Sequence, residues 1–277
     1  MQIIRPKIES LREPIGVDEQ RPRFSWQLRA PSRMKAQSAY RILVYAGEKL
    51  MWDSGKVVSQ ASSQIEYMGD ALKPRTRYRW NVRVWDERGI DIGVSRDAFF
   101  ETGLMGRWRA RWVSCPKIYE SGKPLGVATF VKSFTVRDDV ESARLYVSAL
   151  GAYSFELNGM RAHDTRLAPG PTSAHKRVRY QAYDATPFLK KGENEIRAAV
   201  SGGWYTGEYA DSLCAEKCGK YRALIAQLHI RYKDGEEETV LTDSHWKVEC
   251  EGKYRMADLV MGVHYDATAE AETPVNV

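Results

Sequence analysis

From residue 77 to 85 the chain alternates between two kinds of side chain. Tyr78, Trp80, Val82 and Val84 fall on one parity, and Arg77, Arg79, Asn81 and Arg83 on the other. A period of two is the mark of a strand with one buried and one wet face. Pro74 precedes it, where a missing N–H costs no ladder bond. Shorter runs of the same kind occupy 21–28, 39–45, 65–67 and 99–103, separated by turn residues at Asp53-Ser-Gly55 and Arg88-Gly89. Elements of this length and spacing predict a small antiparallel sandwich.

A second set of alternating, β-branched and aromatic segments covers 128–136, 142–150 and 153–157, after which Asn158-Gly159 gives a strong hairpin signal. A loop over 164–175 carries Pro169-Gly-Pro171, and further strands are expected at 177–183, 195–200, 223–232, 238–241 and 246–249, with turns at Lys191-Gly192 and Lys233-Asp-Gly235. No long helical pattern occurs, so the whole chain reads as all-β: a fibronectin III/immunoglobulin-like sandwich, then a larger jelly-roll-like sandwich. The basic, aromatic passage 107–113 lies between them. The expected division is 1–105, 106–268 and a linker-like tail, 269–277.

A length of 277 residues suits two β-domains with proper cores. Hydrophobic residues at 43% and charged residues at 28% exclude bulk disorder. No apolar run approaches the roughly 20 residues that span a bilayer, and the first residues lack the apolar stretch of a signal peptide, so a cytoplasmic protein without a membrane partner is expected. The net charge of +6 and pI near 9.0 raise nucleic acid as a partner, but the charges alternate with core residues along the whole chain. No RNP motif, helix-turn-helix or zinc finger accompanies them, so no nucleic-acid partner is predicted.

Cys115, Cys214, Cys218 and Cys250 are too few and too scattered for a disulfide scaffold. Cys214-x3-Cys218 with His163, His175 or His229 lacks the second ligand pair of a zinc site. His163-Asp164 are strand neighbours that point to opposite faces, and His264-Tyr-Asp266 has no third group. No nucleophile elbow, P-loop or His-Glu-x-x-His motif is present, so a self-contained enzyme is not predicted.

Leu72, Pro74 and then Thr76-x-Tyr78-x-Trp80-x-Val82 are similar to a fibronectin type III strand. Farther on come Ser142-Ala-Arg-Leu-Tyr-Val-Ser-Ala-Leu150, Phe155-Glu-Leu-Asn-Gly159, Leu167-Ala-Pro-Gly170, Lys176-Arg-Val-Arg-Tyr180 and Gly202-Gly-Trp-Tyr-Thr-Gly207. With Trp52-Asp-Ser-Gly55 in front and Thr242-Asp-Ser-His-Trp246 behind, this order resembles the N-terminal accessory region of bacterial α-L-rhamnosidases, glycoside hydrolase family 78, over about residues 3–268. The resemblance implies a partner: the (α/α)6 toroid that in this family follows the two β-domains and holds the catalytic carboxylates. An inverting glycosidase needs two carboxyls about 6.5–9.5 Å apart across the scissile bond. The family supplies both from the toroid, and the sequence contains no such region. The expected function is therefore a non-catalytic N-terminal portion that supports the toroid, inactive alone, and binds L-rhamnose-containing glycans. The alternative is a purely structural module without a ligand.

Some modules of this resemblance bind L-rhamnose through calcium, a cation that takes six to eight oxygens. The resemblance then implies a sugar site of Asp164, Trp204, Tyr205 and Asp211, and a calcium set of Asp164, Glu208 and Asp211. The sequence departs from the family at Pro171, where a tryptophan is usual, and at Cys214 and Cys218. The competing reading has Asp164 capping a turn and Trp204 and Tyr205 plugging the sandwich core, with Gly202 and Gly203 permitting a bulge or close backbone approach. Trp80, Trp85, Trp108 and Trp112 are expected in core or interdomain packing. Where the toroid would dock, an exposed apolar patch is expected near residues 254–265.

Overall fold

A computed structural model describes residues 2–30, 36–120, 123, 125–206, 219–270 and 272–277. They form two compact units, 1–107 and 108–277. The N-terminal unit contains β1 (Gln2–Ile8), β2 (Ile15–Val17), β3 (Arg23–Arg29), β4 (Gln37–Ala46), β5 (Lys49–Asp53), β6 (Val57–Val58), β7 (Ile65–Glu66), β8 (Arg77–Asp86), β9 (Asp91–Val94) and β10 (Ala98–Thr102). One sheet has the order β1-β3-β7; the other runs β2-β10-β8-β4-β5, with β6 on β4 and β9 on β8. The alternation read in β8 is the alternation found: Tyr78, Trp80, Val82 and Val84 are all buried, and Arg77 and Arg83 are exposed. Phe24 of β3 meets Trp80 edge-on at 4.8 Å, which joins the two sheets through their inner faces.

The C-terminal unit contains β11 (Val113–Ile118), β12 (Ala128–Val136), β13 (Val140–Leu150), β14 (Ala152–Leu157), β15 (Met160–Arg161), β16 (Gln181–Asp184), β17 (Gly192–Ser201), β18 (Tyr221–Tyr232), β19 (Glu237–Leu241), β20 (Lys247–Glu249), β21 (Tyr254–Asp258), β22 (Gly262–Tyr265) and β23 (Val275–Asn276). A sheet β11-β18-β13-β16, with β19 on β18, lies against a sheet β15-β14-β17-β12-β20-β23. Leu145 and Val147 of β13 and Leu224, Ala226 and Leu228 of β18 share one core with Phe130 of β12, Phe155 of β14 and Ile196, Ala198 and Val200 of β17. Burying each large side chain contributes about 1.5–3 kcal/mol. The helical content among the described residues is a single 3-10 turn at Thr186–Phe188, so none of their helices is long and apolar enough to cross a membrane.

The all-β double sandwich expected from the pattern is therefore the fold observed. Asn158 and Gly159, at φ 53° and 74°, make the type I′ turn between β14 and β15. Several local expectations shift. The strand expected over 177–183 begins only at Gln181, because the Lys176 and Arg177 amides donate to the Ser173 carbonyl and close a turn instead. The tail read as a linker supplies β23, paired with β20. Trp112 is 44% exposed, since it precedes β11 and is not at a strand position facing the core.

Candidate functional site

The loop after β15 is held from three sides. The Tyr153 amide of β14 donates to the Ala168 carbonyl at 2.8 Å, and the Gln181 side chain of β16 donates to the Pro169 carbonyl at 3.3 Å. From the turn after β17, Trp204 Nε1 donates to the Leu167 carbonyl at 3.2 Å. The turn itself depends on its glycines. Gly203 sits at φ +52°, and a Cβ there would lie 2.4 Å from the Ala152 nitrogen, so the two turns approach at a distance only glycine permits. Leu150, Gly151, Pro169, Gly170, Trp204 and Tyr205 thus line one crevice. Its volume of about 10 Å³ does not enclose a sugar ring, so a sugar here would lie on the rim against the two aromatic side chains.

Under this loop the His163 ring stacks on Phe155 at 4.6 Å and accepts from the Phe155 amide through Nε2 at 3.2 Å. Its Nδ1 is buried without a hydrogen-bond partner. Burial, reinforced by Arg161, pushes the His163 pKa down, against smaller opposing effects of the Thr165 backbone and Asp164. The site is thereby built on a neutral imidazole. Burial also pushes up the pKa of the Tyr153 hydroxyl, which donates to Gln181 Oε1 at 2.6 Å.

The residues singled out from the sequence are only partly assembled. Trp204 and Tyr205 meet the 164–175 loop, but through Leu167 to Gly170 rather than through Asp164. The expected core plug is not what they form, because both are only half-buried. Asp164 is exposed and makes no hydrogen bond or ion pair among the described residues. Glu208, Asp211, Ser212, Cys214 and Cys218 lie outside the described residues. Among the described residues no group of three or more His, Cys, Asp or Glu side chains is placed to hold a metal.

A second feature is the hairpin β21–β22. Val263 is 63% exposed, Val260 61%, Met261 55%, Tyr265 51% and Tyr254 48%, with the two tyrosine rings 5.0 Å apart. Its tip is orderly: the Val260 and Met261 amides donate to Asp258 Oδ1 at 2.8 and 2.9 Å. Its base is tied to the segment before β12, where the Ala257 amide donates to the Leu125 carbonyl at 3.1 Å and the Val127 amide to the Tyr254 carbonyl at 3.2 Å. A Cβ on Gly126 would stand 2.3 Å from the Tyr254 carbonyl oxygen, so glycine is needed for that approach. The exposed apolar patch expected at 254–265 is this hairpin.

Residues 138–274 match the α-L-rhamnosidase N-terminal domain family, and residues 3–106 match the Rha78A-like N-terminal immunoglobulin domain. Residues 138–274 belong to the α-L-rhamnosidase N-terminal domain family. An α-L-rhamnosidase of Alteromonas sp. (strain LOR) is 36% identical over 280 residues, covering 95% of this chain and 30% of that relative. The structure of the α-L-rhamnosidase from Dictyoglumus thermophilum superposes with a TM-score of 0.87 at 32% identity, over 98% of this chain and 32% of that one. The native Aspergillus terreus enzyme does so with a TM-score of 0.85 at 28% identity, over 97% and 32%. The chain thus corresponds to the N-terminal portion of rhamnosidases and spans 30% of the length of the Alteromonas protein.

Proposed function

We propose that this chain is a non-catalytic N-terminal region of an α-L-rhamnosidase, and that its 254–265 hairpin docks the catalytic portion, expected to be an (α/α)6 toroid. One observation carries the reading: Tyr254, Val260, Met261, Val263 and Tyr265 stand open to water on a hairpin whose base and tip are both fixed by hydrogen bonds. Contiguous exposed apolar surface of this kind marks an interaction site. A cover belonging to the same polypeptide needs little affinity, because tethering raises its effective concentration. The greater part of each relative's length lies outside the matched region and is available to provide that cover.

Val263→Asp separates docking from folding. In the isolated chain, where Val263 is 63% exposed, the substitution should change stability by no more than about 0.5 kcal/mol. In the complete parent protein it buries an unpaired charge and should lower the unfolding temperature by several degrees, for a cost of about 2–5 kcal/mol. An unchanged parent rules out docking through this hairpin.

A second reading adds L-rhamnoside binding at the crevice rim, with calcium held by Asp164 and the 208–211 segment. It is favoured by the exposed Asp164 carboxylate, which makes no hydrogen bond or ion pair among the described residues, close in sequence to a loop clamped onto Trp204. Calorimetric titration with L-rhamnose, in calcium and then in chelator, tests it. Saturable heat abolished by Asp164→Ala supports the site, and silence at about millimolar sugar retires it.

A further inference from the structure

A groove of about 710 Å³, within the range of ligand sites, opens in the N-terminal unit. It is lined by the six consecutive residues 2–7 of β1, by Arg12 and Glu13, and by residues 95–98. Successive side chains of a strand point to opposite faces, so a groove lined by six in a row runs along the edge of the strand. β1 is an edge strand of its sheet. An open edge ordinarily invites another strand, but this one is blunted. Its register breaks between Ile4 and Lys7, Arg5 sits at φ 50°, and Pro6 has no N–H to donate. The groove is therefore unsuited to an added peptide strand, while the bulge leaves backbone polar groups beside it for hydroxyl groups to use.

Its charge is one-sided. Arg5, Lys7, Arg12 and Arg96 all line it. Among the described residues the side chains of Lys7, Arg12 and Arg96 make no hydrogen bond or ion pair, and Arg5 has only a 3.3 Å bond to Gln27. Of the two lining carboxylates, Asp97 is engaged by Arg79 at 3.2 Å and by Asn81 at 2.9 Å, which leaves Glu13 against four cations.

We propose that this groove binds an anionic oligosaccharide, its carboxylate or sulfate groups paired with Lys7, Arg12 and Arg96 and its hydroxyls with the β1 edge. Guanidinium forks match both anions. The choice of a glycan as carrier of the charge rests on the rhamnosidase reading above, whereas the charge itself does not. Because Arg12 and Arg96 are solvent-exposed and Lys7 is only half-buried, binding is weak and salt-sensitive, in the range of about 0.1–1 mM.

The test is calorimetry on the full chain at about 20 and about 150 mM salt. The probes are trigalacturonate, a sulfated galactose disaccharide, maltotriose as neutral control, and L-rhamnose as a separate report on the Asp164 site. Saturable binding of either charged sugar, weakened about tenfold by Arg12→Ala/Arg96→Ala and untouched by Lys233→Ala or Asp164→Ala, is the expected result. Uronate alone or sulfate alone names the anion and supports the proposal. No binding of either charged sugar at low salt, equal binding of maltotriose, or indifference to the double variant overturns it. A rhamnose signal without a charged-sugar signal would leave the Asp164 site standing and remove this one. Circular dichroism of the double variant excludes unfolding, since Arg12 and Arg96 are both exposed.

Discussion

Arg222→Ala should destabilise the C-terminal unit by about 3–5 kcal/mol, the largest loss expected for any polar substitution in it. Arg222, in β18, is completely buried. Its Nη1 donates to the Gly126 carbonyl and its Nη2 to Cys115 Sγ at 3.3 Å, while its Nε has no partner. Burial pushes its pKa down. The Cys250 thiol beside it, pushed up to about 12 by burial and by Cys115, is protonated at neutral pH and supplies no counter-charge. Truncation to alanine leaves a cavity and an orphaned Gly126 carbonyl, at the point from which the 254–265 hairpin hangs. Lysine keeps the charge but not the planar fork, and should cost nearly as much. Methionine fills the space without a desolvated charge and should cost least of the three. Urea or thermal unfolding of the three variants checks the order, with about 2–4 °C expected per kcal/mol in a unit of this size. If methionine is as harmful as alanine, the guanidinium contributes through its hydrogen bonds far more than its burial costs.

Trp80→Ala should remove about 3–5 kcal/mol from the N-terminal unit, and Trp80→Phe much less. The Trp80 side chain is completely buried and packs edge-on against Phe24 of the opposite sheet at 4.8 Å. Alanine deletes that bridge and leaves a void between the sheets. Phenylalanine keeps an aromatic ring and removes the indole N–H, which is buried without a hydrogen-bond partner and so contributes no bond to lose. Thermal unfolding should show the alanine variant shifted by about 12 °C or more, from about 4–8 °C per kcal/mol in a domain near 100 residues. Equal losses for the two variants would mean that the bicyclic shape itself, not aromatic contact, carries the packing.

What could be read from the sequence follows from how each strand is covered. In β8 one face is buried and the other wet, and the alternation is legible residue by residue. β12 is likewise found over 128–136, the bounds expected for it. β18 is covered on both faces, so its buried residues run without a break from Arg222 to Ile230 and include Arg222, Gln227 and His229. A polar residue in a doubly covered strand reads as a face change when it is in fact a clasp. Gln227 Oε1, for example, accepts from the Arg109 amide at 2.8 Å and so holds down the segment ahead of β11. Arg222 was beyond pattern reading for the same reason, since its role depends on Gly126, 96 residues away.

The candidate sites divide in the same way. The glycines Gly202 and Gly203 announced a tight approach, and the structure has one. The groove beside β1 gave no sequence signal, because residues 2–7 and 95–98 become neighbours only through the sheet order. Asp164 stands out only through the family resemblance, and its exposed carboxylate lies outside the crevice that Trp204 and Tyr205 line.

Hydrogen exchange read by mass spectrometry tests docking through the hairpin at 254–265 directly. The chain alone should exchange the amides of this hairpin readily, whereas in the complete parent protein the same peptides should slow by at least about tenfold as the apolar face is covered. Identical exchange in the two would contradict a docking role for the hairpin and leave its exposed Tyr254, Val263 and Tyr265 without a partner in the parent protein.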